Sequence, residues 1–458
     1  MKRLAAALAL VLLAGPAGAW EAQTTQAGLA EQAAMSSRLH KRLVALGFEG
    51  GLFEPLTIPP ADAPALMHDL KLLAPSNGTV PDARGRQTAL SWIAAGAALA
   101  DVPARHAANH FYDPATHKGW ERPDRGVLEG LADSVREAIG RASLPEHGVP
   151  TVDWITAKEN PFHIGAFLDQ YAKAVSAATP GERSRHMAAA LVAAGALLHV
   201  LGDLGAPARV RGDEAAFFEP LGGGPDDLGS RFERIAALAY GRLGVPAPAR
   251  VVTRTHLHDF FTAKDGSGLA DMIARSYFSS NTLPESMRVG GDDKPHLVRP
   301  QPELPPRLNL MAASRQDGTT LRDKDGTCLA RYRVEHGVLS FGTDDQCMLE
   351  QIAVILPEVS AYETGMLDFL LRGELTIKAG AQIVVGGDGL GTGDLEVLVE
   401  DARGVRTSLG TVKVAAGKTE LARLPPPGTG TRIVAVFRGV DREGEPIVAV
   451  GALPLTAR

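Results

Sequence analysis

Residues 179–203 read TPGERSRHMAAALVAAGALLHVLGD. Thr179 and Glu182 form a capping box and Pro180 takes the first helical position, so the sequence predicts a helix over 182–203. The stretch is alanine-rich and apolar nearly all round, the character of a central helix covered by neighbours on every side. His199 and Asp203 near its end are then buried polar groups that need partners. Their four-residue spacing puts both on one helix face, where an imidazole and a carboxylate can meet a single ion.

Upstream, residues 101–114 read DVPARHAANHFYDP. Asp101 and His110 supply a second carboxylate and a second imidazole, and two His with two Asp suit zinc.

Around this pair of segments the pattern is helical. From Thr24 to about Ala45 the positions Leu29, Ala33, Leu39, Leu43 and Val44 approximate a helical face. Further helices are expected over 85–100, 127–142, 164–178 and 227–243. A long one is expected over about 345–372, kinked or interrupted at Pro357. Residues 285–345 read as an irregular insertion, with Pro300, Pro302, Pro305 and Pro306 marking a loop and 317–343 resembling a hairpin. After Gly373 the pattern changes to short β-branched runs at 382–385, 395–400, 411–414, 420–424, 432–437 and 447–450, separated by turn residues. The expected architecture is a multidomain α + β chain: an all-α domain over 20–373, then a small antiparallel β-sandwich over 374–458.

The first nineteen residues, a Met-Lys-Arg start, an apolar run from Leu4 to Ala14 and Ala17-Gly18-Ala19, read as a secretory signal. The expectation is a secreted or periplasmic protein with Trp20 at its new N-terminus and no transmembrane segment. The formal charge of −6 becomes −8 once Lys2 and Arg3 leave, which excludes a global basic field for nucleic acid. At 458 residues, two domains are expected. Cys328 and Cys347 are the two cysteines, and in an exported chain they read as one disulfide closing a short surface excursion; the alternative is two free thiols.

Together these residues resemble the zinc-dependent phospholipase C superfamily, which includes alpha-toxin type enzymes and single-strand-specific zinc nucleases. The likeness rests on Trp20, on Asp101 followed by Asn109-His110-Phe111-Tyr112-Asp113-Pro114, on the 198–203 helix end, on Pro207 and on Glu233. It covers about residues 20–243. The resemblance implies an all-α domain that holds three zinc ions in a cleft, with the N-terminal amine among the ligands.

On that resemblance, the first zinc site is complete in Asp101, His110, His199 and Asp203. In the third site Trp20 and Asp203 remain, but Gln26 stands where the family has His. In the second site Arg209 and Gly229 replace two His, and Glu233 alone survives. Arg cannot shed its proton to bind a metal and Gly offers no side chain, so one zinc ion per chain is expected. Two roles are open for Arg209: a phosphate contact through its bidentate guanidinium, or a structural ion pair with Glu233.

Two functions follow. One is a hydrolase of phosphoesters, with Asp101 as general base and a phospholipid favoured over a nucleotide, since the β domain echoes toxin-type phospholipases whose own β domain docks on membranes. The other is a catalytically inactive relative that uses zinc structurally, with a binding or scaffolding role, because four protein ligands close the tetrahedron. His106 and His117 read as surface residues, and His256 and His258 as a solvated loop. The chain has no Gly-x-Ser-x-Gly elbow and no P-loop.

Overall fold

The computed structural model describes residues 22–455 apart from 74–79, 123–144, 219–229, 242–243, 291–301, 306 and 428. The leader, Trp20, Gly229 and the helix expected over 127–142 lie outside the described residues. A π-helical turn, Ala22–Gln26, leads into α1 (Ala27–Ser36), followed by α2 (Leu39–Leu46), α3 (Pro64–Leu73) and α4 (Ala89–Leu99). Then come α5 (Ile164–Ser176), α6 (Pro180–Gly202), α7 (Arg231–Ala239), α8 (Leu269–Ser276) and α9 (Asp345–Leu370).

The start of α6 follows from its capping box. The Thr179 hydroxyl accepts from the Glu182 amide at 3.3 Å, and the Glu182 carboxylate accepts from the Thr179 amide at 3.1 Å. The helix packs against α1, α4, α5 and α9. Residues Pro180–Gly205 are long and apolar enough to cross a membrane, yet 94 % of their most apolar 18-residue window, of mean hydropathy 1.8, is buried inside the protein, as in a core helix.

Where α4 crosses α6 the two backbones nearly touch. A Cβ on Gly195 would fall 1.9 Å from the Ile93 carbonyl, and one on Gly96 would fall 2.0 Å from the Val192 carbonyl. Only glycine fits at either position, and this contact brings the end of α4, with Asp101 beyond it, alongside the last turns of α6.

The single helix expected over 24–45 is split. Ser37 is extended, and its hydroxyl donates to the Ala34 carbonyl at 2.9 Å and accepts from the Leu39 amide at 3.2 Å, offering the backbone a local alternative to the helix. Conversely, α9 runs through Pro357 without a break. Ile352, Ile355, Leu356 and Val359 are buried on both sides of the proline, so tertiary packing holds the helix across it.

Two short strands, β1 (Pro55–Thr57) and β2 (Arg86–Thr88), pair near the start of α4. The 285–345 insertion is more regular than expected. It holds a four-stranded antiparallel sheet of β3 (Met287–Arg288), β4 (Thr319–Arg322), β5 (Cys328–Glu335) and β6 (Val338–Gly342), in the order β3-β6-β5-β4. The Cys328–Cys347 disulfide joins β5 to the first turn of α9. Both cysteines are 1 % exposed, so the bond pins the sheet to the helical core and does not close a surface excursion.

After α9 the chain forms seven strands: β7 (Leu375–Ala379), β8 (Ile383–Gly387), β9 (Leu390–Glu400), β10 (Arg406–Val414), β11 (Glu420–Leu424), β12 (Arg432–Asp441) and β13 (Pro446–Pro454). They make two antiparallel sheets, β10-β9-β12-β13 and β11-β8-β7. Alternation along β12 sends Ile433, Ala435 and Phe437 into the sandwich core with Leu395 and Val397. Val434 and Val436 point the other way, with Leu398, Val448 and Val450, into the core of the helical part. Arg406 bridges the two halves: it is 5 % exposed, pairs with Glu400 at 2.8 Å and donates to the carbonyls of Val175 at 2.5 Å and Leu46 at 3.3 Å.

Candidate metal centre

Asp101 sits just past the end of α4, His110 follows a 3-10 turn at Ala104–Asn109, and His199 and Asp203 lie at the end of α6. The four bring their donor atoms within 4.8 Å of one another. His110, His199 and Asp203 are 0 % exposed and Asp101 is 8 % exposed. His110 Nδ1 lies 2.8 Å from Asp203 Oδ2 and 3.2 Å from Asp101 Oδ1. His199 Nε2 lies 3.1 Å from Asp203 Oδ2 and 3.4 Å from Asp101 Oδ2.

The separations of 3.1–3.4 Å fit an ion, while the 2.8 Å between His110 Nδ1 and Asp203 Oδ2 is a direct hydrogen bond. Bonds of about 2.0–2.1 Å from a tetrahedral zinc place its ligand atoms roughly 3.3–3.4 Å apart. Neither oxygen of Asp101 and no Nε2 of His199 has an aligned hydrogen-bond partner among the described residues, although all are buried. Buried polar atoms that converge without bonding one another are what a shared cation satisfies. The other nitrogen of His199, Nδ1, lies 2.6 Å from the Ala97 carbonyl. That bond makes Nδ1 the donor and leaves Nε2 to face the cluster, the second interaction that metal-bound imidazoles usually have. The cluster is thus a buried group able to hold a metal ion.

The electrostatics are strongly coupled. Burial opposes a charge on His199, but the carboxylates of Asp203 and Asp101 outweigh it and push the imidazole up to about 10. Burial also opposes ionisation of Asp101, yet His199 and His110 hold its carboxyl well below the usual range. Asp203 is likewise buried and held low, by Arg209 first and then His199. With Glu233 counted and both imidazoles neutral, the state in which they bind a metal, three carboxylates face one guanidinium, and a divalent ion would offset the remaining two negative charges.

Arg209 and Glu233 lie against this cluster and close it. Arg209 is 1 % exposed and donates through Nε to Glu233 Oε1 at 2.7 Å, while an Nη reaches within 3.4 Å of Asp203 Oδ2. Its guanidinium lies 4.7 Å from the ring centre of Phe111 and 5.0 Å from that of Phe217. Glu233, also 1 % exposed, uses its second oxygen in a capping box, accepting from the Ser230 amide at 2.6 Å and hydroxyl at 2.7 Å. Both oxygens are engaged, and the pair stands outside the four-residue cluster.

Gln26 ends the π-helical turn and is wholly buried. Its amide Nε2 donates to Asp203 Oδ1 at 2.6 Å and approaches the His199 carbonyl at 3.3 Å. The two oxygens of Asp203 are therefore held from opposite sides, one by Gln26 and the other by His110, His199 and Arg209.

The remaining histidines stand apart from this group. His106 is half-buried with its ring 5.2 Å from that of Trp154, and His117 is exposed and hydrogen-bonded to the Tyr112 hydroxyl at 2.8 Å. His256 pairs with Glu445 at 3.0 Å and His258 with the Thr262 carbonyl at 3.1 Å. Sequence reasoning passed over Glu363, a wholly buried acid in α9. No local signal marked it, because Ser360, Thr364 and Asp368 share the last three turns of the same helix.

No known protein family, curated protein or solved structure matches the chain.

Proposed function

We propose that the chain is an exported, zinc-binding descendant of the zinc phospholipase C and single-strand nuclease lineage, in which one ion serves as a structural staple and the protein has a binding or scaffolding role. The observation that carries this reading is the Arg209–Glu233 pair, closed at 2.7 Å inside the protein with the guanidinium against two aromatic rings. The resemblance puts a second ion at that place, and here a guanidinium supplies the fixed positive charge.

When bound, zinc supplies a doubly positive centre that neutralises Asp101 and Asp203 and ties the end of α4 to the end of α6. Asp101, His110, His199 and Asp203 would hold it, and four protein ligands are the number that a structural zinc takes. At the third-site position Gln26 gives Asp203 an amide N–H. The disulfide accords with an oxidising compartment, in line with the signal-like leader.

The test is elemental analysis of the purified mature protein together with assays on phosphodiester and phospholipid substrates. One zinc per chain, lower thermal stability after chelation and no zinc-dependent hydrolysis support the staple. Hydrolysis that follows zinc content overturns it.

One observation favours the second reading, phosphoester hydrolysis with Asp101 as general base. Of the four ligands Asp101 alone reaches solvent, and its neighbours Leu99 and Val102 line a surface pocket of about 360 Å³ with Phe162, Ala189 and Val192. In that reading Asp101 takes a proton from the attacking water and the apolar pocket suits a lipid better than a nucleotide. Arg209, the candidate phosphate contact, does not line that pocket. Phospholipid cleavage by the wild type, abolished in Asp101→Asn, would establish it.

A further inference from the structure

Glu363 projects from α9 into the back of the metal centre. It is 0 % exposed, and neither of its carboxyl oxygens has a hydrogen-bond partner among the described residues. It meets Gln26 across Gly202: a Cβ built on that glycine would fall 2.5 Å from Glu363 Oε1 and 2.8 Å from Gln26 Oε1. The two oxygens thus share the space that the missing side chain leaves.

The orientation of the Gln26 amide is already determined. Its nitrogen faces Asp203 Oδ1 at 2.6 Å and the His199 carbonyl at 3.3 Å, both acceptors, so a flipped amide would set oxygen against oxygen. Gln26 Oε1 must then point away from Asp203, and it too has no donor among the described residues. Two bare acceptors that border one buried space repel, whereas a carboxylic acid can donate a hydrogen bond to an amide oxygen there.

We propose that Glu363 is a neutral carboxylic acid that donates a hydrogen bond to Gln26 Oε1, so that Gln26 Nε2 is held on Asp203 Oδ1 and the ligand Asp203 is aimed at the ion. Glu363 is a positioning residue, acting through Gln26 and touching neither metal nor substrate. Its environment agrees: burial pushes its carboxyl well above the usual range, with His199 opposing and Asp203 adding to the effect. The relay Glu363 to Gln26 to Asp203 stands on the protein's own atoms, while its consequence for zinc rests on the metal reading above.

The experiment compares wild type, Glu363→Gln and Glu363→Leu. Glu363→Gln keeps a donor at that place, through its amide, and Glu363→Leu removes it. In the metal-free protein at neutral pH, the infrared difference between wild type and Glu363→Gln should show the carbonyl band of a protonated carboxylic acid. Its absence, or a carboxylate band in its place, overturns the proposal. For zinc affinity by chelator competition, Glu363→Gln should stay close to wild type and Glu363→Leu should weaken binding about tenfold, the lower end of what supporting residues of a metal site contribute. Equal affinity in all three overturns the positioning role and leaves Glu363 a packing residue. If wild type binds no zinc, the metal reading fails, and the infrared band still decides the relay. If Glu363→Leu does not fold, the band and the retained affinity of Glu363→Gln decide it.

Discussion

The ring of His199 is fixed by the carbonyl of Ala97, 2.6 Å from its Nδ1, across a helix crossing that Gly96 and Gly195 bring to backbone contact. One hydrogen bond between α4 and α6 therefore sets which nitrogen faces Asp101 and Asp203. Adding a methyl group in Gly195→Ala pushes the helices apart at the Ile93 carbonyl. The expected outcome is weaker zinc binding together with lower stability, both read on one protein sample by chelator competition and thermal melting.

His199→Gln removes a ligand and the Ala97 bond together. For the wild type, free zinc at about a hundred times its Kd should stabilise the native state by about 2.7 kcal/mol. In His199→Gln the melting temperature should no longer respond to zinc. A zinc response retained by the variant would place the ion elsewhere.

Arg209→Met leaves Glu233 buried without its cation, a loss of about 3–5 kcal/mol. Adding Glu233→Gln should recover part of that loss, since the amide keeps its place beside Ser230 without the charge. Urea denaturation of the two variants measures both steps. If Arg209→Met proves as stable as wild type, the pair does not hold the core closed.

His106 carries one pH dependence outside the ligand set. Burial first, and then the neighbouring His110 and Arg105, push its imidazole down to about 4. A depressed value means that the native state resists protonation there. The associated stability is present above the unfolded value of about 6.5 and is lost as pH falls through about 4. His106→Gln should flatten the fall in stability between those limits, as followed by urea midpoints at a series of pH values.

Replacing Cys328 and Cys347 with Ser opens a loop of nineteen residues. Chain entropy sets the expected loss at about 3 kcal/mol. Because both sulfurs are buried between β5 and α9, the reduced protein should also expose the insertion sheet to limited proteolysis before the rest of the chain.

Much of the site was legible because its signals are local. The His199 and Asp203 spacing needs only a helix, and the Thr179 and Glu182 capping box announces that helix. The Ser230 and Glu233 capping box was equally readable, but Glu233 drew notice as a metal ligand and its local role was passed over. Gln26 read as a lost imidazole, while its use as a donor to Asp203 depends on a partner 177 residues away. Glu363 was invisible for the same reason: burial of an acid is decided by which helices surround it. The break at Ser37 is also a side-chain effect that hydrophobic periodicity does not register, since Leu39 and Leu43 continue the apolar face past it.

Strands β9, β12 and β13 carry apolar side chains on both faces, one set buried in the sandwich and the other in the helical part. Such a module is not portable. Transplanted to another protein, it would carry Val434, Val436, Val448 and Val450 as a sticky flank, and the Arg406 fork would lose the Val175 and Leu46 carbonyls it grips. The helical part, expressed without it, would expose the matching apolar surface. The two halves are therefore one unit of inheritance and of expression, and a change in either has to preserve the shape of the other.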